Sequence, residues 1–194
     1  MSAAPEYDKL LNEYRDLQSR ASRFANIEQQ LINTRDRLDH ELELYKRLHA
    51  FNSKALKDLN NRNFSNLIAE AIVDIFEIES AIVLYRNTNN EKEKVISVEG
   101  SYLTNITDQQ IADEIIELAK VVERENKVIV EEKVFNELQF LNVFKQGLFI
   151  NITDRSLGYC VCLGGFVSKL NSPLYQSLEE RHGAFFEVFA QQIQ

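Results

Sequence analysis

Cys160 and Cys162 are the only cysteines in this chain of 194 residues, and they stand two apart. On a strand, that spacing points both side chains to one face. It does not readily permit a bridge between them, so both read as reduced thiols. Their expected role is to pack as small buried hydrophobes. A redox-sensing thiol would need a lowered pKa and solvent access, and no neighbouring basic residue in the sequence argues for that. The three histidines, His40, His49 and His182, are dispersed and give no metal-ligand spacing with the cysteines. His40-Glu41-Leu42 places an acidic residue after a histidine on a helix, as a kinase phosphoacceptor does. The usual downstream proline is missing, however, and the chain has no glycine-rich ATP lid and no Asn box. His40 therefore reads as a solvated helix residue. No nucleophile elbow, P-loop, dinucleotide or zinc-protease motif is present, and the expectation is that the chain is not itself an enzyme.

The formal charge is −8, with acidic residues spread along the chain. Without a basic patch to displace counterions from phosphates, nucleic-acid binding is not expected. No apolar run approaches the roughly 18–20 residues needed to span a membrane. The N-terminus lacks a charged region followed by an apolar one. A cytoplasmic location is the expectation. All six glycines lie at or after position 100, and Pro5 is the only proline before Pro173. The first ninety-nine residues therefore carry little that would interrupt a helix.

The elements that must position any site begin with a long helix. From Leu10, steps of four and three reach Tyr14, Leu17, Ala21, Phe24, Glu28, Leu31, Arg35, Leu38, Leu42, Tyr45, His49, Asn52, Leu56 and Leu59. Eleven of these fifteen are apolar, and most intervening residues are charged or amides. That is a heptad repeat, predicting a coiled-coil helix roughly 75 Å long. Its apolar stripe needs a partner, and a parallel homodimer is the simplest one. His49 and Asn52 are polar seam positions, and protonation of His49 would loosen such a dimer. From Leu44 a second stripe appears, Leu44, Leu48, Phe51 and Ala55, which predicts packing on the following domain. His40 falls off the seam and is expected to be exposed.

Past Asn60 the period changes. Asn63 predicts a cap for a helix over 64–76. Ser80–Tyr85 and Val95–Val98 read as a hairpin about a turn at 87–91. Thr107 opens a T-x-x-Q capping box and a helix from Asp108 to about Glu123. A short strand over 127–130 precedes a short helical or irregular stretch, 134–141. Strands 148–152 and 157–163 flank a tight polar turn at 153–156. Ser172-Pro173 predicts the start of a final helix that runs to the end. The fold class is α+β, an antiparallel sheet flanked by helices and preceded by a long coiled-coil helix.

The segment LGYCVCLGG, the linker reaching SPLY, and the terminal LEERHGAFFEVFAQQIQ with Ala190-Gln-Gln-Ile193 resemble the end of a GAF domain. The resemblance covers roughly residues 48–194, leaving 1–47 as the dimerisation helix; PAS domains share the architecture. A coiled coil running into a GAF domain resembles the sensory region of bacterial signalling proteins such as histidine kinases or cyclic-dinucleotide enzymes. The resemblance implies terminal helices on one sheet face, within a parallel dimer bundle, and a small-molecule pocket on the other. It also implies relay through the helices to an output domain or partner signalling protein, and the uncapped end at Gln194 suggests that such a domain follows. The cofactor is unknown. The cyclic-nucleotide pattern Asn-Lys-x(n)-Phe-x(3)-Asp-Glu is absent, neither cysteine is followed by the histidine usual in bilin attachment, and His182 is a poor haem ligand. The alternative is a dimerisation scaffold whose GAF-like domain has no ligand.

Closing the last hairpin at Ile152–Leu157 would set Phe149 opposite Cys160. One face is then Leu148, Ile150, Ile152, Leu157, Tyr159 and Val161, suited to helix packing. The other carries Gly147, Phe149, Asn151, Gly158, Cys160 and Cys162. The candidate ligand-binding face is therefore Phe149, Asn151, Cys160 and Cys162. The candidate dimer seam is Leu10, Leu17, Phe24, Leu31, Leu38, Leu42, Tyr45, His49, Asn52, Leu56 and Leu59.

Overall fold

The computed structural model describes residues 4–58, 64–87, 94–100, 103, 108–125, 128–154 and 158–193. The expected caps Asn63 and Thr107, the 88–91 part of the first turn, Leu157 and seam residue Leu59 lie outside the described residues. The chain divides into two compact units, residues 1–46 and 47–194.

Helix α1, Ala4–Asp58, runs for 55 residues without proline after Pro5 and without any glycine. Its heptad apolar positions are exposed over the first unit, with Phe24 at 71% and Leu31 at 65%. Exposed i,i+4 pairs such as Asp16–Arg20 and Arg37–Glu41 add little stability. His40 is half-buried, where the heptad frame had predicted exposure. Of Leu56 only the helical backbone is described.

The second unit is α+β. Helix α2, Phe64–Phe76, is followed by β1, Ser80–Asn87, and β2, Lys94–Glu99. Helix α3, Asp108–Glu125, leads to β3, Ile129–Glu131, and the one-turn α4, Glu132–Phe135. A 3-10 turn at Leu141–Val143 opens β4, Phe144–Asp154, which pairs with β5, Tyr159–Ser168. Helix α5 is Glu180–Ile193. All pairings in the five-stranded sheet are antiparallel, in the order β2-β1-β5-β4-β3.

Each sheet face carries its own helical layer. On one, Ile82, Leu84, Phe149 and Phe166 pack with Ile111, Ile115 and Leu118 of α3 and with Phe135 and Phe144. On the other, α2 presses so close that a methyl group on Gly165 would collide with Ile78 and crowd Ile72. Phe76 of α2 meets Phe186 of α5 edge-on at 5.0 Å, and Phe51 near the end of α1 meets Phe189 at 5.2 Å. Leu48 is buried as well, so the second stripe packs inward here as the periodicity predicts. Glu77 closes α2 with φ 50°. Arg47 donates to the carbonyl of Asp74 at 2.7 Å and pairs with Glu77 at 2.8 Å, placing a cation at the negative end of α2.

Two expectations are corrected. The turn does not lie at 153–156, because Thr153 and Asp154 belong to β4. The pairs are Asp154↔Tyr159, Thr153↔Cys160 and Phe149↔Gly164, not Phe149 with Cys160. Sequence alone located the polar residues, but the ladder continues through them. Ser172 does not start the final helix. Ser172–Leu174 is an isolated 3-10 turn with Pro173 at its start, and α5 begins at Glu180. There the backbone N–H of Glu179 donates to Nδ1 of buried His182 at 2.9 Å, an arrangement no sequence cap signal marked.

Candidate functional site

Residues directly opposite in an antiparallel ladder share a face. On the α3 side of the sheet this yields three rows across β1, β5 and β4. They are Ile82–Gly164–Phe149, Leu84–Cys162–Asn151 and Arg86–Cys160–Thr153. The structure thus brings Phe149, Asn151, Cys160 and Cys162 together on one face. The register error leaves this intact, because it displaced the strands by an even number of residues.

The face is packed. Phe149 is fully buried, and Cys160 and Cys162 are 3% and 2% exposed. Asn151 is half-buried, nearer the strand ends where Thr153 is exposed. The Cys160 thiol donates to Asn151 Oδ1 at 2.8 Å, and the Cys162 thiol lies 3.5 Å from the same oxygen. The two sulfurs are 4.0 Å apart, and Thr153 Oγ1 donates to Cys160 Sγ at 3.8 Å.

These contacts separate the two thiols electrostatically. The neighbouring Cys162 thiol holds Cys160 below the ordinary thiol range, aided by the Thr153 hydroxyl and the Arg86 guanidinium against the opposing effect of burial. Cys162 moves the other way, because the Cys160 sulfur and burial both disfavour its ionisation. Sequence reasoning missed Arg86 and Thr153. Arg86 is remote in the chain and arrives through β1–β5 pairing, and Thr153 reads in the sequence as part of a turn.

Other chemistry-bearing groups are committed to the fold. Buried Glu114 of α3 accepts from the backbone N–H groups of Gln139, Phe140 and Leu141 at 2.5–2.9 Å. It thereby closes the segment that covers the α3 face. Asn52, expected on the seam, donates to Gln192 of α5 at 2.6 Å, while His49 is exposed.

Two clefts lie elsewhere. One of about 850 Å³ is lined by β3, α5 and the segment before it, with Glu131, Glu132, Glu179, Glu180 and Glu187 around Ile129 and Gly183. The other, of about 330 Å³, lies between Phe51 and Lys54 of α1 and Leu67 and Glu70 of α2. Neither is lined by the four residues of the candidate ligand face. Among the described residues no three of His, Cys, Asp and Glu converge to hold a metal ion, and no helix is long and apolar enough to cross a membrane. No protein-family model matches the chain, and no curated protein matches it.

Proposed function

We propose that this protein is a dimeric cytoplasmic sensory module. Its GAF-like domain binds a small molecule, and its flanking helices relay a change in packing to an output domain or partner signalling protein. In this reading it is not itself an enzyme. The observation that carries the proposal is the heptad stripe of α1, whose leucines at 10, 17, 31, 38 and 42 remain exposed. A second copy in parallel register would bury that stripe. The two-faced sheet supports the GAF-like reading, with α2, α5 and Phe51 of α1 in one helical layer and α3 over the other face. Relay requires that the helical layer have two arrangements whose balance a ligand biases. The Asn52–Gln192 hydrogen bond between α1 and α5 is a contact such a change would break or keep.

The close packing of Phe149, Cys160 and Cys162 favours a second reading, a dimerisation scaffold without a ligand. Native mass spectrometry of freshly purified protein, with a thermal-shift screen against nucleotides and metabolites, separates the two. The sensor reading expects a dimer mass with a bound small molecule, or a compound that raises Tm. A dimer that carries nothing and responds to nothing is a scaffold.

A further inference from the structure

The polar atoms of the α3-side face converge on one point. Cys160 Sγ, Cys162 Sγ and Asn151 Oδ1 form a triangle with sides of 4.0, 3.5 and 2.8 Å. The position equidistant from all three is about 2.0 Å from each, just inside the ~2.3 Å of a metal–sulfur bond and within the ~2.0–2.2 Å of a metal–oxygen bond. An outward movement of a few tenths of an ångström by the sulfurs would seat an ion.

A disulfide suits the same pair poorly. The sulfurs would have to close from 4.0 Å to about 2.05 Å. Their backbone is held on both flanks, with Cys160 between Arg86 and Thr153 and Cys162 between Leu84 and Asn151. A bridging ion requires no such closure.

The donor set selects the ion. Two thiolates are soft ligands and favour copper(I) over hard cations. A structural zinc takes four ligands, and among the described residues no third histidine, cysteine, aspartate or glutamate joins these two. Two thiolates and a monovalent ion leave one negative charge, beside Arg86, the cross-strand partner of Cys160 in the β1–β5 ladder. The apolar packing of Leu84 and Phe149 keeps water from the inner side, and half-buried Asn151 and exposed Thr153 mark the way in.

We propose that Cys160, Cys162 and Asn151 bind one soft monovalent metal ion of the copper(I) class, the two sulfurs as thiolates and the amide oxygen as third ligand. Two S–H bonds break, two metal–sulfur bonds form, two protons pass to solvent, and no atom changes oxidation state. As a site it stands on its own geometry; as the sensor's ligand it rests on the reading above.

The test uses the full reduced chain under anaerobic conditions, with copper(I) presented on a colorimetric chelator. One ion per chain should leave the chelator. Cys160→Ser and Cys162→Ser should each weaken uptake by at least about 100-fold, and Asn151→Ala by about 10-fold. X-ray absorption of the loaded wild-type chain, which needs no variant to fold, should show two sulfur neighbours and one light atom. Failure to draw copper from the chelator, or a sulfur count other than two, overturns the proposal. Sedimentation of the loaded and unloaded chain reports association separately. A chain that binds copper with no change in assembly or Tm retains the site and removes the signalling reading.

Discussion

Residues 1–46 and residues 47–194 treat apolar surface in opposite ways. In the second unit the large apolar side chains close on one another, with Phe135, Phe144, Phe149, Phe166, Phe186 and Phe189 all fully buried. In the first, among the described side chains, only Leu44 is buried, while Leu10, Leu17, Phe24, Leu31 and Leu38 stand more than half exposed. Both regions are rich in leucine, and the period decides the difference. A period of two and short amphipathic helices let a chain bury its own stripes. A heptad sustained over many turns makes one straight stripe that a single helix cannot cover. The first region leaves its apolar stripe exposed, and the second covers its own.

The most severe way to break this contrast is to charge the stripe. Leu31→Asp with Leu38→Asp should weaken association by about 1000-fold or more, since each carboxylate buried in a seam costs at least ~2 kcal/mol. Sedimentation should show monomers, while the near-ultraviolet circular dichroism of the α+β unit stays unchanged. The converse variant acts on the second unit. Phe166 packs between Phe135 and Phe144 at 5.7 and 5.0 Å, so Phe166→Ala should cost about 3–5 kcal/mol in denaturant titration. Loss of the Glu114 carboxylate in Glu114→Ala should cost about 1–3 kcal/mol, because it leaves three backbone N–H groups without their acceptor.

The thiol pair gives a smaller, pH-dependent effect. Cys160 titrates below its ordinary range in the folded chain. The native state therefore releases that proton before the unfolded state does. Its contribution to stability grows as pH rises from the lowered native value to the ordinary thiol range, and is lost as pH falls through the native value. Cys162, shifted upward, acts against stability above the ordinary range. Comparing denaturant midpoints of the wild-type chain and Cys160→Ser between about pH 5 and 9 should show the wild-type advantage widening with pH. A difference independent of pH would remove the electrostatic account. Smallest of all, Arg47→Ala should cost no more than about 1 kcal/mol, as expected of a partly exposed cation at a helix end.

What the residues disclose of the fold follows the same division. Elements with strong periodicity were readable: α2 spans Phe64–Phe76 as predicted, and the β-branched run at Ser80 begins β1. The faces of β4 and β5 were readable too, because alternation fixes parity. Register was not, because polar Thr153 and Asp154 look like a turn when their cross-strand partners are unseen. Arg86 could not be connected to Cys160 for the same reason, since the link is a ladder and not a sequence motif. At the C-terminus, Ser172-Pro173 is a genuine helical start, but it nucleates only one 3-10 turn. The longer helix opens instead at Glu179–Arg181, where His182 supplies the acceptor.

The central claim is that α1 pairs with a second copy in parallel, in-register fashion. Leu17→Cys, oxidised gently at low concentration and analysed by mass, tests it most directly. In the parallel seam residue 17 faces its own counterpart, and a covalent dimer should form in high yield. In an antiparallel pairing centred on the exposed part of the stripe, Leu10 to Tyr45, the two thiols would stand about 30 Å apart. An absence of covalent dimer, with the chain otherwise folded, would contradict the account.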